Sequence, residues 1–321
     1  MRQWLSALSL AWWALATALP AAAAETPVDF GITSLTAFSL PHYIADAQGF
    51  YAAENLKVSM IVGGAATGVI RQLSGGSLNI GQAATNQTLR AIMSGAPIRI
   101  VAGAAANAPF RLIAARTIKG WPDLKTKTIS VGGTTDVTLY FLRVMARKNG
   151  LADSDYDLVY AGGSPDRFAQ LLSGGVAAAV LTNPLDHTAL QQGFVELGSV
   201  PRYLPHWAQN NLVVYTDWAA RNRGAVVAFL RVHIRATDFL YDPRNRNEAI
   251  GILAKYTNSA PETAAAAYDV FIREEVMAPK GALFEAGIQA NLDALVELGE
   301  LKSTPPLGNF IDPSFIAEAS K

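Results

Sequence analysis

One short pattern occurs twice in the chain, about a hundred residues apart. Residues 73–89 read LSGGSLNIGQAATNQTL, and residues 172–190 read LSGGVAAAVLTNPLDHTAL. Each copy continues from Leu-Ser-Gly-Gly into a short apolar run, typical of a buried parallel strand, and then into small polar residues that open a helix. Both predicted helices stop at a glycine, Gly95 and Gly193. Because ligands of open α/β sheets bind where strands end and helices begin, the duplication predicts two similar lobes facing one ligand.

The first 24 residues have the pattern of a secretory signal. Met1 and Arg2 precede an apolar run at 5–19, and Ala22 and Ala24 form an Ala-x-Ala exit. We therefore expect cleavage after Ala24 and export to the periplasm. The alternative is an uncleaved anchor, but the apolar run is short for a membrane span of about 20 residues.

Charge and cysteine content exclude several classes of protein. Lys plus Arg and Asp plus Glu each number 26, so there is no basic excess to neutralise nucleic-acid phosphates. The chain has no cysteine, which rules out disulfides, thiolate metal sites and a lipidated cysteine tether. We expect a freely diffusing protein without stable membrane insertion.

After the signal, predicted strands alternate with helices, which indicates an α/β fold. Strands are predicted at 28–33, 56–62, 98–104, 128–131, 158–160 and 212–215, and the first lobe-one helix at 41–54. Ala-rich helices at 225–241, 246–256, 261–272 and 284–298 are expected to brace lobe one. The Gly-rich loop at 63–68 lacks the Lys-Ser or Lys-Thr pair of a phosphate loop, so a plain strand-to-helix turn is the better interpretation.

Several motifs occur in an order and spacing that resemble a known family. The first is carried by Ala47, Gly49, Phe50, Tyr51, Leu56 and Val58, the second by Leu73, Gly76 and Ile80, and later ones by residues 132–134, 183–184 and 312–315. Together they resemble the substrate-binding proteins of ABC importers of the nitrate, sulfonate and taurine group, which includes binders of thiamine pyrimidine precursors. The chain departs at Asn55, where the family usually has glycine, and at Asn79, where it usually has aspartate; the second copy has alanine at that point.

The resemblance implies a two-lobe periplasmic binding protein of type II, with the ligand cleft between the lobes. Lobe I would comprise residues 25–115 and 208–321, and lobe II residues 116–207. The implied function is that of the periplasmic solute-binding component of an ABC importer, a monomer that delivers a small molecule to permease and ATPase subunits and needs no cofactor or metal.

Candidate ligand-binding residues lie at the predicted strand-to-helix edges. Lobe I would contribute Phe38, His42, Thr85, Asn86 and Asn107, and lobe II Thr134, Thr135, Asp136 and Asn183. Each has a structural alternative: Phe38 in the core, His42 on a helix surface, and Thr85, Thr134 or Asp136 as helix caps. Arg111 is the cation expected nearest the cleft, and a hinge ion pair is its alternative.

The charge of the solute depends on two opposing features. Helix starts at Thr85 and Thr134 favour an anion, whereas Asp136 repels one and suits an ammonium or a ring amino group. A zwitterionic sulfonate or an amino-substituted heterocycle therefore fits better than nitrate.

Two other classes of function stay open at this point. The same cleft could serve a sensor or a biosynthetic partner rather than a permease. Catalysis is disfavoured because the histidines at 42, 187, 206 and 233 are scattered, and neither a Gly-x-Ser-x-Gly elbow nor a cysteine nucleophile exists. Pyrimidine synthases with this fold carry a cysteine-rich segment, which this chain cannot have. We therefore expect a non-enzymatic protein.

Overall fold

A computed structural model describes residues 25–205 and 207–321, so the predicted signal segment and His206 lie outside the described residues. Its ten strands are β1 (Thr26–Ile32), β2 (Leu56–Val62), β3 (Ile80–Ala84), β4 (Ile98–Ala105), β5 (Phe110–Ala114), β6 (Thr128–Val131), β7 (Asp157–Tyr160), β8 (Ala178–Thr182), β9 (Val195–Ser199) and β10 (Asn210–Tyr215). They form two five-stranded sheets, in the orders β2-β1-β3-β10-β4 and β7-β6-β8-β5-β9.

Fourteen α-helices cover these sheets in the described part of the chain. They are α1 (Leu40–Ala47), α2 (Phe50–Ala53), α3 (Ala66–Ser74), α4 (Thr85–Met93), α5 (Val137–Lys148), α6 (Ser164–Leu172), α7 (Leu185–Gln191), α8 (Val200–Tyr203), α9 (Thr216–Arg221), α10 (Arg223–Tyr241), α11 (Arg246–Thr257), α12 (Pro261–Arg273), α13 (Glu285–Glu297) and α14 (Ser314–Ala319). None of these helices has the length and apolar character that a membrane span requires.

The two sheets repeat one arrangement, so the predicted α/β fold with two similar lobes is confirmed. In each sheet three neighbouring strands are parallel, and the fourth is antiparallel to both of its neighbours. The repeated sequence pattern occupies equivalent places, as β3 with α4 and as β8 with α7. Gly95 and Gly193 follow these helices with φ of +87° and +85°, a conformation that favours glycine.

The chain crosses between the sheets twice. The first crossing lies at residues 106–109, because β4 belongs to the first sheet and β5 to the second. The boundary predicted at residue 116 is therefore too late, since Phe110–Ala114 pairs with β8 and β9 inside lobe II. The return occurs between β9 and β10, a span that includes the boundary predicted at 208.

The predicted helix at 41–54 is interrupted. It divides into α1 and α2 because Gly49 adopts a left-handed conformation, with φ of +67°. Asn55 then ends the second piece with φ of +55°, so asparagine fills the position usually held by glycine.

The C-terminal helices pack mainly on lobe I. Helix α10 packs against α1 and α14, α11 against α1, and α13 against α4. Helix α12 also reaches lobe II, where Thr263 Oγ1 donates a hydrogen bond to Gln191 Oε1 over 3.2 Å.

Two histidines are buried together in the lobe I core. The rings of His42 and His233 stack with centroids 5.2 Å apart, and His42 also packs on Phe30 and Phe229. His42 Nδ1 lies 2.9 Å from the Tyr51 hydroxyl oxygen. Burial lowers the pKa of His42 well below its usual value, with a smaller effect from His233, and burial lowers the pKa of His233 to about 4.

This pair predicts loss of stability in acid. Both pKa values are lower in the folded state than in the unfolded chain, so below about pH 6.5 the unfolded state binds protons that the folded state excludes. The free energy of unfolding should fall from pH 6.5 towards pH 4, by up to about 1.4 kcal/mol per pH unit for each histidine. Urea denaturation between pH 7.5 and pH 4.5 measures this slope.

His233→Gln should reduce the slope markedly, because one of the two proton sites is removed. His187→Gln is the control, since His187 lies partly exposed on α7, away from the pair. An unchanged slope in His233→Gln would contradict this source of acid sensitivity.

Candidate ligand-binding cleft

One cavity lies where the two sheets face each other. Every parallel strand of both sheets ends at this cavity, because its carboxyl end or the loop that follows contributes to the lining. The contributing residues are Thr33, Ser34, Ala65 and Ala84 from lobe I, and Asp136, Gly162, Gly163 and Thr182 from lobe II. The empty space, including the open mouth of the cavity, is about 600 Å³.

The antiparallel strands add an apolar side to the cavity. Phe110, the first residue of β5, lies with its ring centroid 5.6 Å from that of Phe38 in lobe I. Phe38 also meets Phe271 of α12 edge-on, with centroids 5.5 Å apart. The two lobes therefore form one aromatic wall.

A buried arginine stands on the lobe II side of the cavity. Arg167 is 4% exposed and lies one turn into α6, just after β7 ends. Its Nε donates to the Val180 carbonyl over 2.7 Å, its Nη1 donates to the Gly162 carbonyl, and its Nη2 lies 3.4 Å from Ser164 Oγ. Burial lowers the pKa of Arg167, while the charges of Asp136 and Asp166 oppose that shift. A guanidinium carries five N–H donors, so donors remain for a solute.

Asp136 caps α5 and also borders the cavity. Its Oδ1 accepts from the Thr138 backbone N–H over 2.9 Å and from the Thr138 hydroxyl over 2.6 Å. Its Oδ2 lies 3.4 Å from Gln87 Nε2 of lobe I. Among the described residues that line the cavity, Arg167 and Asp136 are the charged ones, so their formal charges cancel.

The lobe I wall offers neutral polar groups. Gln82 Nε2 donates to the Phe38 carbonyl over 2.8 Å, which fixes the side-chain amide. Gln209 is 3% exposed, and its Oε1 has no hydrogen-bond partner in the part of the chain that the structure describes. A buried acceptor of this kind is stabilised by a donor from a solute or a water molecule. No three His, Asp or Glu side chains gather to hold a metal ion within residues 25–205 and 207–321.

The two lobes approach each other closely at more than one place near the cavity. At one rim, a Cβ added to Gly163 would lie 3.3 Å from the Gly64 carbonyl oxygen. At another point, the Ala37 N–H of lobe I donates to the Asn183 carbonyl of lobe II over 3.4 Å. Contact across the cleft thus involves backbone from both lobes.

A family model described as NMT1/THI5 like matches residues 37–246. The chain belongs to this family. Among curated protein sequences no match is found. The NMT1/THI5-like assignment agrees with the resemblance to nitrate- and sulfonate-type binding proteins, because solved structures of such proteins share the fold.

Three of these similar structures belong to proteins that bind small ligands. The ligand-binding component of an ABC-type import system from Staphylococcus aureus, with zinc bound, is 10% identical, with a TM-score of 0.78 over 92% of this chain and 99% of that one. The alkanesulfonate-binding protein SsuA from Xanthomonas axonopodis, bound to MOPS, is 18% identical, with a TM-score of 0.72 over 93% and 99%. The nitrate-binding protein NrtA from Synechocystis is 15% identical, with a TM-score of 0.76 over 92% and 88%.

The fold is therefore that of periplasmic substrate-binding proteins of ABC-type import. It also occurs in a cysteine-to-serine mutant of DszB in complex with biphenyl-2-sulfinic acid, at 11% identity and a TM-score of 0.69 over 92% of this chain and 99% of that one.

The ligand-binding residues predicted in lobe I of this NMT1/THI5-like fold differ in their position relative to the cavity. Phe38 lines the cavity, whereas His42 lies in the lobe I core. Thr85 and Asn86 are buried at the start of α4, next to Ala84 at the cavity edge, and Thr85 Oγ1 accepts from Asn211 Nδ2 over 2.7 Å. Asn107 lies at the crossing, and its Nδ2 donates to the Glu274 carbonyl over 2.8 Å.

Of the four lobe II candidates, one is part of the cavity lining. Asp136 lines it, while Thr134 and Thr135 are exposed before α5. Asn183 is fully buried, and neither polar atom of its side chain has a hydrogen-bond partner among the described residues. Arg111 is ion-paired, as its alternative predicts, but with Asp186 and Glu196 inside lobe II rather than across the hinge.

Sequence reasoning missed Arg167 and the lobe I amides Gln82 and Gln209. A signal for Arg167 was present, because Ser-Pro-Asp-Arg at 164–167 follows a predicted strand, as the Gly-rich loop does in the other lobe. The carboxyl edge of that strand is a place where sheets of this kind bind ligands. Nothing local marks Gln82, which lies within a buried strand.

The capping role of Asp136 gives a prediction for stability. Asp136→Ala should lower the free energy of unfolding by about 1 kcal/mol, because the Thr138 N–H loses its acceptor. Asp136→Asn should cost less, since an amide oxygen also caps. Chemical denaturation measures both. Asp166→Ala, at an exposed first-turn position of α6, is the control, and an equal loss there would contradict the cap.

Proposed function

We propose that this protein is the solute-binding component of an ABC importer and that it holds a small organic solute in the cleft between its lobes. One observation carries the proposal: the parallel strands of both sheets end at a single cavity lined by a buried guanidinium, a carboxylate and an aromatic wall. A cavity bounded by two lobes suits a solute that stabilises the closed arrangement through contacts to both sides.

The lining favours a solute that carries both an acidic oxygen group and a nitrogen donor. Arg167 offers N–H donors to an acidic group, and the Gln209 amide oxygen offers an acceptor to an amino group. Asp136 supplies negative charge that would oppose a bare anion. A zwitterionic sulfonate or an amino-substituted heterocycle therefore fits better than nitrate. The MOPS bound by the Xanthomonas relative, a sulfonate with a ring nitrogen, supports the first class.

The proposed setting is the periplasm, reached through a signal cleaved after Ala24. The protein would work as a monomer that presents both lobes to a permease, which an ATPase subunit drives. Closure would be a population shift, in which a bound solute increases the fraction of molecules that the permease recognises.

A binding role also agrees better with the cavity than catalysis does. Neither histidine nor lysine occurs among the described residues that line it, and the chain has no cysteine. The similar DszB structure, by contrast, is that of a mutant in which a cysteine is replaced by serine. Its cysteine therefore has no counterpart in this chain.

A thermal-shift screen of residues 25–321 tests the solute class. The panel should contain MOPS, taurine, aminopyrimidines, amino acids, bicarbonate and nitrate. A solute present at 1,000 times its Kd should stabilise the fold by about 4 kcal/mol, which raises the melting temperature clearly. We expect a sulfonate or an aminopyrimidine to do so. Stabilisation by nitrate with none by the other classes would refute this choice.

The role of Arg167 is tested with whichever solute stabilises the protein. Arg167→Lys should weaken binding by about tenfold or more, because an ammonium cannot reproduce the forked guanidinium contacts. Arg111→Lys is the matched control, since Arg111 is also partly buried in lobe II but is paired away from the cavity. Isothermal titration gives both affinities, and an equal loss in the two variants would remove Arg167 from the site.

A further inference from the structure

A bidentate ion pair lies at the outer rim of the cleft, away from the cavity. Arg90 projects from α4 of lobe I, and Glu300 follows α13 of the same lobe. Arg90 Nε lies 2.6 Å from Glu300 Oε2, and Arg90 Nη2 lies 2.8 Å from Glu300 Oε1. Two parallel contacts of this kind fix the plane of the guanidinium. The Arg90 side chain therefore loses its conformational entropy when it forms the ion pair within lobe I, and not when it contacts lobe II.

The Arg90 guanidinium, which Glu300 holds in place, also contacts lobe II. Its remaining Nη1 donates to the Thr135 carbonyl over 2.9 Å. Gln87 lies one turn earlier on the same face of α4, and its Nε2 is 3.3 Å from the Thr135 carbonyl oxygen and 3.4 Å from Asp136 Oδ2. Two side chains of lobe I thus meet two consecutive residues at the start of α5.

A further contact at the same rim also joins α5 of lobe II to lobe I. The Tyr140 hydroxyl of α5 lies 3.4 Å from Glu297 Oε2, at the end of α13. Glu297 is the last residue of α13 and Glu300 follows three residues later, so both carboxylates at the rim lie at the C-terminal end of this helix. The hydrogen bond from Arg90 lowers the pKa of Glu300, which favours the ionised carboxylate.

We propose that Arg90 and Gln87 form an interlobe latch, which stabilises the closed cleft through contacts that do not involve the solute, and that Glu300 is the positioning residue that orients Arg90 for it. This inference rests on the proposed function, because a closing cleft is its premise. Opening the cleft would break the contacts to Thr135 and Asp136 while leaving the Arg90–Glu300 ion pair intact.

The latch and the solute share one group. Asp136 lines the cavity, caps α5 and accepts from Gln87. Neither Arg90 nor Glu300 belongs to the cavity lining. Changes at these two residues should therefore alter closure without removing a direct solute contact.

The distance between the lobes can be measured without any solute. The chain has no cysteine, so Lys57→Cys on β2 and Asp157→Cys on β7 give one exposed spin-label site in each lobe. The protein is unfolded, dialysed and refolded to remove bound solute. Double electron–electron resonance then gives the distance distribution in the parent and in Arg90→Gln, Glu300→Gln and Arg231→Gln. The last breaks a comparable ion pair, Arg231 with Glu54, inside lobe I.

We expect a short-distance population in the solute-free parent. Arg90→Gln should lower the ratio of short to long distances by about threefold or more, Glu300→Gln should lower it in the same direction, and Arg231→Gln should leave it unchanged. A parent without the short-distance population would overturn the latch, as would an Arg90→Gln distribution that matches the parent. An Arg231→Gln distribution shifted as far as that of Arg90→Gln would overturn it as well.

This outcome is independent of the solute screen. A protein that binds no compound of the panel can still show the latch, and a protein that binds MOPS can lack it. Failure of the latch therefore leaves the proposed function standing, and failure of the solute class leaves the latch standing.

Discussion

Two antiparallel strands in the interiors of the sheets tie the molecule together. β10 reaches the first sheet only after the chain has left lobe II, and β5 enters the second sheet directly from lobe I. Each has a hydrogen-bonded neighbour on both sides, so neither can leave its sheet without breaking two ladders. Relative movement of the lobes is thereby restricted to the short segments between the sheets. Both strands also begin at the cavity, which places Phe110 and Asn210 in its lining.

The chemistry of the cleft follows from this arrangement. Parallel strands from both lobes end at one place, and the loops after them are where polar groups and free N–H donors gather. Arg167, in the first turn of α6, and Asp136, at the start of α5, come from lobe II, whereas the neutral amides come from lobe I. The rim contacts of Arg90 and Gln87 use the same loop as Asp136, so closure and the electrostatics of the cavity depend on one short segment.

Local patterns were enough to predict most elements but not the partners of buried charges. Apolar runs and turn residues gave β2 and β6 with their observed bounds, and the repeated Leu-Ser-Gly-Gly marked equivalent positions in the two lobes. β5 was missed because Arg111 interrupts its apolar pattern, and the carboxylates that compensate this charge, Asp186 and Glu196, are distant in sequence. The buried charge of Arg167 is likewise compensated in part by the backbone carbonyls of Gly162 and Val180. Such compensation exists only after folding.

The position of β10 between β3 and β4 makes the sheet of lobe I depend on distant parts of the chain. Lobe II is a continuous stretch of chain and contains all five strands of its sheet, so its contacts can form as soon as that stretch is available. Lobe I cannot close its sheet before residue 215 has been made, and its β4 also pairs with Ile311 near the other end of the chain. Loop closure over such separations is slow. The complete sheet of the N-terminal lobe therefore depends on residues that are made after all of lobe II.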